Sequence, residues 1–180
     1  MNCYLDIETT GLDPLQSKII TIQYMELERN TAKPIGPLNI LKEWESDEKT
    51  ILKKFISDSG VADKYPFAFI PVGYNLEFEH KFFWQRCMSN TLQPVDILNR
   101  PFLDLKTVGV IMNRGEFKGA GLDKLTNKPQ SGKNIPRLYD EKNYGEIESY
   151  IKKETESFCE WLVKLYVKLP KLRDELLREN

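Results

Sequence analysis

Asp6 and Glu8 stand two residues apart at the end of the run Cys3-Tyr4-Leu5-Asp6-Ile7-Glu8, which leads into Thr9-Thr10-Gly11-Leu12. In a strand, side chains alternate between faces, so the two acids share one face while Cys3, Leu5 and Ile7 share the other. Two carboxylates held a few ångströms apart repel each other, and a divalent cation is the usual relief. Gly11 is free to take a positive φ in the following turn and so bring backbone N–H groups close to an anionic ligand. The stretch therefore reads either as a metal seat beside an anion seat or as an acidic strand end entering an exposed loop.

Two more acids sit where an acid needs explaining. Ile147, Ile151, Phe158, Leu162 and Leu165 form an apolar stripe at helical spacing, and Glu154 falls in its one long gap, on the same face. A carboxylate buried there without a partner would cost several kcal/mol, so it calls for a cation, a hydrogen-bond network or a raised pKa. Tyr150 lies one turn earlier and sets a phenol beside it. The plainer account has Glu154 tilting outward to a lysine such as Lys153. The other acid is Glu79, in Gly73-Tyr74-Asn75-Leu76-Glu77-Phe78-Glu79-His80, where a strand meets a helix with Asn75 at its N-cap. The helix dipole by itself favours an acid in that first turn, and Phe78, Phe82 and Phe83 read most simply as core.

The elements that must position these groups follow from patterning. Lys18 to Leu27 alternates after the Asp13-Pro14 turn signal and predicts a second strand, antiparallel to the first. Residues 35–41 suggest a third strand. Ile51, Leu52, Phe55 and Ile56 predict a helix capped by Ser46 or Asp47 and ending before Gly60. An apolar strand over 67–74 precedes a helix over 76–88. Residues 102–105 suggest a short strand, and 113–138 carry no clear period. A long helix is predicted over 144–167, ended by Pro170 and followed by a charged tail. The pattern amounts to an α/β fold, a mixed sheet whose first strands are antiparallel, with helices packed on it.

Composition narrows the chemistry. The chain has 180 residues, a net charge of −1 and 41% apolar residues, which suits one soluble globular domain of residues 1–170 with a tail of residues 171–180. No overall basic field draws in nucleic acid, so any polyanion site must be local. A single histidine, His80, argues against histidine-based catalysis or histidine metal ligation. Three cysteines, Cys3, Cys87 and Cys159, are an odd set without close pairing and point to free thiols in the cytoplasm. No leader peptide or membrane span is expected.

Taken together, Asp6-x-Glu8-Thr-x-Gly, Asn75-x-x-Phe78-Glu79 and Tyr150-x-x-x-Glu154 resemble the three motifs of the DEDD 3′–5′ exonuclease superfamily, tyrosine subclass. The wording around Asp6 and Tyr150 is most similar to the proofreading domain of family B DNA polymerases. The resemblance spans residues 6–154 and implies a ribonuclease H-like fold in a small stand-alone protein. It also implies hydrolysis of single-stranded DNA or RNA 3′ ends to nucleoside monophosphates with two divalent ions, Mg²⁺ or Mn²⁺. Asp6 would bridge both ions, Glu8 and Glu154 would hold the ion carrying the attacking water, and Glu79 would serve the second. Tyr150 would orient the water. Thr10 and Leu12 would contact or wedge the terminal nucleotide, with Asn75 and Phe78 beside its pocket.

The sequence departs from the family at two positions, where Glu79 and Glu154 replace the usual aspartate with an arm one methylene longer. Mg²⁺ demands near-ideal octahedral geometry, and an error of about 1 Å in placement can cost roughly 10²-fold in rate, so a weak or inactive nucleic-acid-binding module is the alternative. Tyr144-x-x-x-Glu148 also fits the third motif, and Glu77 competes with Glu79. For substrate capture, Arg114, Lys118, Lys124, Lys128, Lys133 and Arg137 outnumber Glu116 and Asp123 by four, with Lys118 and Lys124 the leading phosphate contacts. A third reading is a scaffold subunit docking an unidentified protein partner through exposed aromatics such as Trp44 or Trp161.

Overall fold

The computed structural model describes residues 1–126 and 132–178. Five strands form one mixed sheet in the order β3-β2-β1-β4-β5: β1 (Asn2–Thr9), β2 (Ile19–Leu27), β3 (Pro34–Lys42), β4 (Ile70–Gly73) and β5 (Leu103–Asp104). β1, β2 and β3 are antiparallel neighbours, as patterning requires, and β4 and β5 add in parallel on the far side of β1. β2 is flanked by strands and covered on both faces, and its β-branched run Ile19, Ile20, Ile22 is fully buried.

The parity of β1 decides what lies on each face. Cys3, Leu5 and Ile7 point into a core with α1 (Glu48–Asp58) and α2 (Leu76–Ser89), where the Phe55 and Phe83 rings stack at 4.8 Å. Asp47 caps α1, accepting a hydrogen bond from the Thr50 N–H at 2.7 Å. Tyr4 points to the opposite face, into a second core with Phe158, Trp161, Leu162 and Leu165 of the last helix, α6 (Tyr144–Leu176). Asp6 and Glu8 share Tyr4's parity and so face α6.

The structure differs from the expected elements in three places. The first is α3 (Leu105–Met112), a helix for which the patterning gave no prediction, which follows β5 directly although its Val-Gly-Val-Ile core has strand propensity. Asp104 caps this helix by accepting from the Lys106 N–H at 2.9 Å, and burial of Leu105 and Val110 outweighs propensity. Gly109 is required there, because a Cβ would lie 2.5 Å from the Tyr74 hydroxyl oxygen. The second is residues 113–138, which contain α4 (Leu122–Leu125) and the start of α5 (Ile135–Asp140). The third is α6, which continues through Pro170 to Leu176. Pro170 has no N–H for the carbonyl one turn back, but α6 is exposed from Val167 to its end and half-buried at Tyr166, where water can satisfy the freed acceptor. Among the described residues no helix is long and apolar enough to cross a membrane.

Candidate active site

Helix α6 crosses the acid-bearing face of β1. The donor oxygens of Asp6, Glu8 and Glu154 all lie within 4.8 Å of one another. At that separation each ionised pair repels by roughly 3.5 kcal/mol at an effective dielectric near 20, a strain that a shared cation removes. Tyr4 ties the two elements together, its hydroxyl donating to Asp6 Oδ2 at 3.4 Å and accepting from Thr155 Oγ1 of α6 at 3.3 Å. Gln23 and Thr21 pair with Asp6 and Glu8 across β2 and therefore share their face. Both are fully buried, and Gln23 Nε2 donates to Thr21 Oγ1 at 2.9 Å.

The fourth acid comes from α2. Glu79 is 3% exposed, and its Oε2 is buried with no hydrogen-bond partner among the described residues. Burial first, then the negative charges of Asp6, Asp104 and Glu154, hold its carboxyl well above the usual carboxylate range. The turn that delivers it is tightly built. A Cβ on Gly73 would sit 2.8 Å from the Leu5 carbonyl oxygen, so glycine lets the end of β4 press against β1. Asn75 is left-handed at φ 71°, and Asp104 clamps the turn by accepting from the Asn75 N–H (2.8 Å) and the Leu76 N–H (3.0 Å). Asn75 occupies the N-cap position, but its side chain does not cap the helix as expected; Lys106 Nζ donates to its Oδ1 at 2.6 Å.

Tyr150 is hydrogen-bonded to Glu154, and its phenol is pushed far up by burial, then by Glu154 and Glu8. The turn before α5 lies against this pair. A Cβ on Gly132 would stand 3.0 Å from the Tyr150 hydroxyl oxygen and 3.9 Å from Glu8 Oε2. Asp6, Glu8 and Glu154 are hard carboxylate donors that suit a divalent cation of the Mg²⁺ or Mn²⁺ kind, and Glu79, outside that 4.8 Å group, adds an orphaned carboxylate oxygen in the interior.

The competing acids fall away. Glu77 is exposed and pairs with Lys81 at 2.6 Å, and Glu148 pairs with Lys42 at 2.9 Å. Trp161 is buried in the α6 core and Trp44 stacks on Tyr144 at 4.5 Å, which removes both as exposed docking aromatics. Thr10 accepts from the Lys18 N–H at 3.0 Å and braces the β1–β2 loop, while Leu12 at its tip is 86% exposed. Phe78 packs on Phe82 at 4.8 Å. Lys118 and Lys124 are exposed in the stretch after α3, Lys124 lying 3.7 Å from Asp123, and Arg137 pairs with Glu141 at 2.8 Å. Lys128 lies outside the described residues. Sequence reasoning missed Tyr4, Thr155 and Asp104. Tyr4 was open to the same parity argument that paired Asp6 with Glu8, and Asp104 stands before a helix as an N-cap acid does.

A family model for the RNase_H superfamily matches residues 3–144. Among solved structures, E. coli exonuclease I in complex with a dT13 oligonucleotide aligns at TM-score 0.66 and 13% identity over 98% of this chain and 43% of its own. Another exonuclease I structure aligns at TM-score 0.53 and 14% identity over 69% of this chain and 34% of its own. At such identity the likeness is one of fold, and the chain spans less than half the length of these structures. No curated protein matches.

Proposed function

The chain belongs to the RNase_H superfamily, and from that membership we propose that it is a metal-dependent 3′–5′ exonuclease releasing nucleoside monophosphates from single-stranded nucleic acid. The observation that carries the reading is the convergence of Asp6, Glu8 and Glu154, from two elements far apart in the chain, with Tyr150 bonded to the last of them. That exonuclease I, bound to an oligonucleotide, shares the fold supports a single strand as substrate.

Asp6, Glu8, Glu79 and Glu154 would hold two Mg²⁺ or Mn²⁺ ions, which when bound supply an activated water and stabilise the leaving oxygen. Tyr150 orients the attacking water through its hydroxyl. Tyr4 and Thr155 keep Asp6 and α6 in register. Asp104, by clamping the turn, aims Glu79 inward. Thr10 and Leu12 address the terminal nucleotide, Asn75 and Phe78 line its surroundings, and Lys118 and Lys124 meet phosphates farther along. The three buried, unbridged cysteines suit the reducing cytoplasm.

The test is digestion of end-labelled single-stranded DNA and RNA with Mg²⁺ or Mn²⁺, beside Asp6→Ala. A ladder shortening from the 3′ end and absent in the variant supports the enzyme. Binding without degradation would leave a nucleic-acid-binding module that keeps the fold.

A further inference from the structure

The β1–β2 loop, residues 10–18, is held by more than Thr10. Arg86 of α2 reaches it, donating from Nη1 to the Pro14 carbonyl at 3.3 Å, while its Nε and Nη2 hold Glu48. Loop and helix are thereby fixed side by side, and between them lies a cleft of about 420 Å³ lined by Pro14, His80, Lys81, Trp84, Gln85 and Asp96. The cleft runs along α2 beyond Glu79, with Trp84 displaced about 7.5 Å along the helix axis and rotated about 140° around it, so a strand whose end lies at Glu79 reaches the cleft by passing round α2 under the β1–β2 loop.

Its chemistry is that of an aromatic platform with a polar edge. His80 and Trp84 are one turn apart with ring centroids at 6.0 Å, and Trp84 is 40% exposed. His80 Nδ1 makes no hydrogen bond among the described residues, although Asp96 Oδ1 stands 3.5 Å away. Asp96 Oδ1 already accepts from the Leu98 and Asn99 N–H groups at 3.0 and 2.9 Å, and Gln85 Nε2 donates to Ser89 Oγ at 3.3 Å, which leaves Asp96 Oδ2 and the Gln85 carbonyl oxygen as acceptors for the N–H edge of a nucleobase. Lys81 is engaged by Glu77, and Asp96 adds a negative charge, so the cleft is built for a base rather than for a phosphate.

We propose that this cleft is a stacking subsite for an unpaired nucleobase of the strand whose end reaches the acidic cup. The inference rests on the nucleic-acid reading of that cup and extends it by assigning the path of the strand. Stacking on an aromatic side chain tolerates any base, so the subsite contributes affinity and processive grip without sequence preference.

Binding of a short oligothymidylate and of dTMP is to be measured calorimetrically in the Asp6→Ala background, which blocks hydrolysis. Trp84→Ala is expected to weaken the oligomer about tenfold, or ~1.4 kcal/mol, leave dTMP within twofold, and be rescued by Trp84→Phe. Unchanged oligomer affinity in Trp84→Ala overturns the subsite while leaving the nuclease reading intact. Equal losses for oligomer and dTMP also overturn it, since they indicate general damage. An oligomer-specific loss in a protein whose parent shows no hydrolysis supports the subsite and defeats the nuclease reading. No oligomer binding at all overturns both.

Discussion

Arg86→Met is the perturbation that best tests how the site's frame is held. Glu48 is 7% exposed, and its carboxylate takes two hydrogen bonds from Arg86, at 2.9 and 2.8 Å. The remaining donors are the Ile19 N–H at 2.7 Å, where β2 begins, and Asn90 Nδ2 at 2.9 Å. Methionine keeps the stem's packing but deletes the guanidinium and leaves a buried carboxylate with two neutral donors. Removing one partner of a buried pair costs about 3–5 kcal/mol, and for a chain of this size each kcal/mol lowers Tm by roughly 2–4 °C, so a fall of about 6–20 °C is expected. Glu48→Gln combined with Arg86→Met should recover part of that loss, because the uncompensated charge is gone. Calorimetric unfolding of wild type, both single variants and the double variant checks this. A loss in Arg86→Met below about 1 kcal/mol, or a double variant as damaged as the sum of the singles, refutes the reasoning.

Two shorter predictions concern the acids and the phenol. Glu79 carries a raised pKa, chiefly through burial and then Asp6, so in the fold it keeps a proton that the unfolded chain releases near pH 4.5. Stability is fully present below that pH and is lost as pH rises towards the folded pKa, at about 1.4 kcal/mol per pH unit. In EDTA, wild type should therefore lose Tm relative to Glu79→Gln as pH rises above about 4.5, and parallel curves would contradict it. Tyr150→Phe should lower kcat roughly 100-fold with KM and Tm little changed, as expected for loss of an orienting hydroxyl; an unaltered kcat in steady-state kinetics would remove Tyr150 from the chemistry.

Much of the frame is legible in the sequence where periodicity and capping agree. The alternation in β1, the Asp47 cap of α1 and the apolar stripe of α6 each dictate an element, and the odd acid in that stripe points to the site. Pairwise spacing recovers Asp6 with Glu8 and Tyr150 with Glu154 because each pair is local. What joins them is long-range: Tyr4 to Thr155 spans 151 residues, and the Asp104 clamp on Asn75 spans 29, so no window of sequence displays either. Helix α3 is hidden for a different reason. Its Val-Gly-Val-Ile run favours strand locally, and only the Asp104 cap and the burial of Leu105 and Val110 decide otherwise. Pro170 is the converse case, a breaker tolerated because its stretch of α6 is exposed to solvent.

The claim on which the account turns is that Asp6, Glu8, Glu79 and Glu154 together hold divalent cations. Mn²⁺ binding followed by electron paramagnetic resonance on wild type and Glu154→Gln tests it most directly. Two ions bound per chain in wild type, with at least one lost in Glu154→Gln while the fold persists, is the predicted result. Mn²⁺ remaining free in the presence of wild type, or binding unchanged by Glu154→Gln, would contradict it.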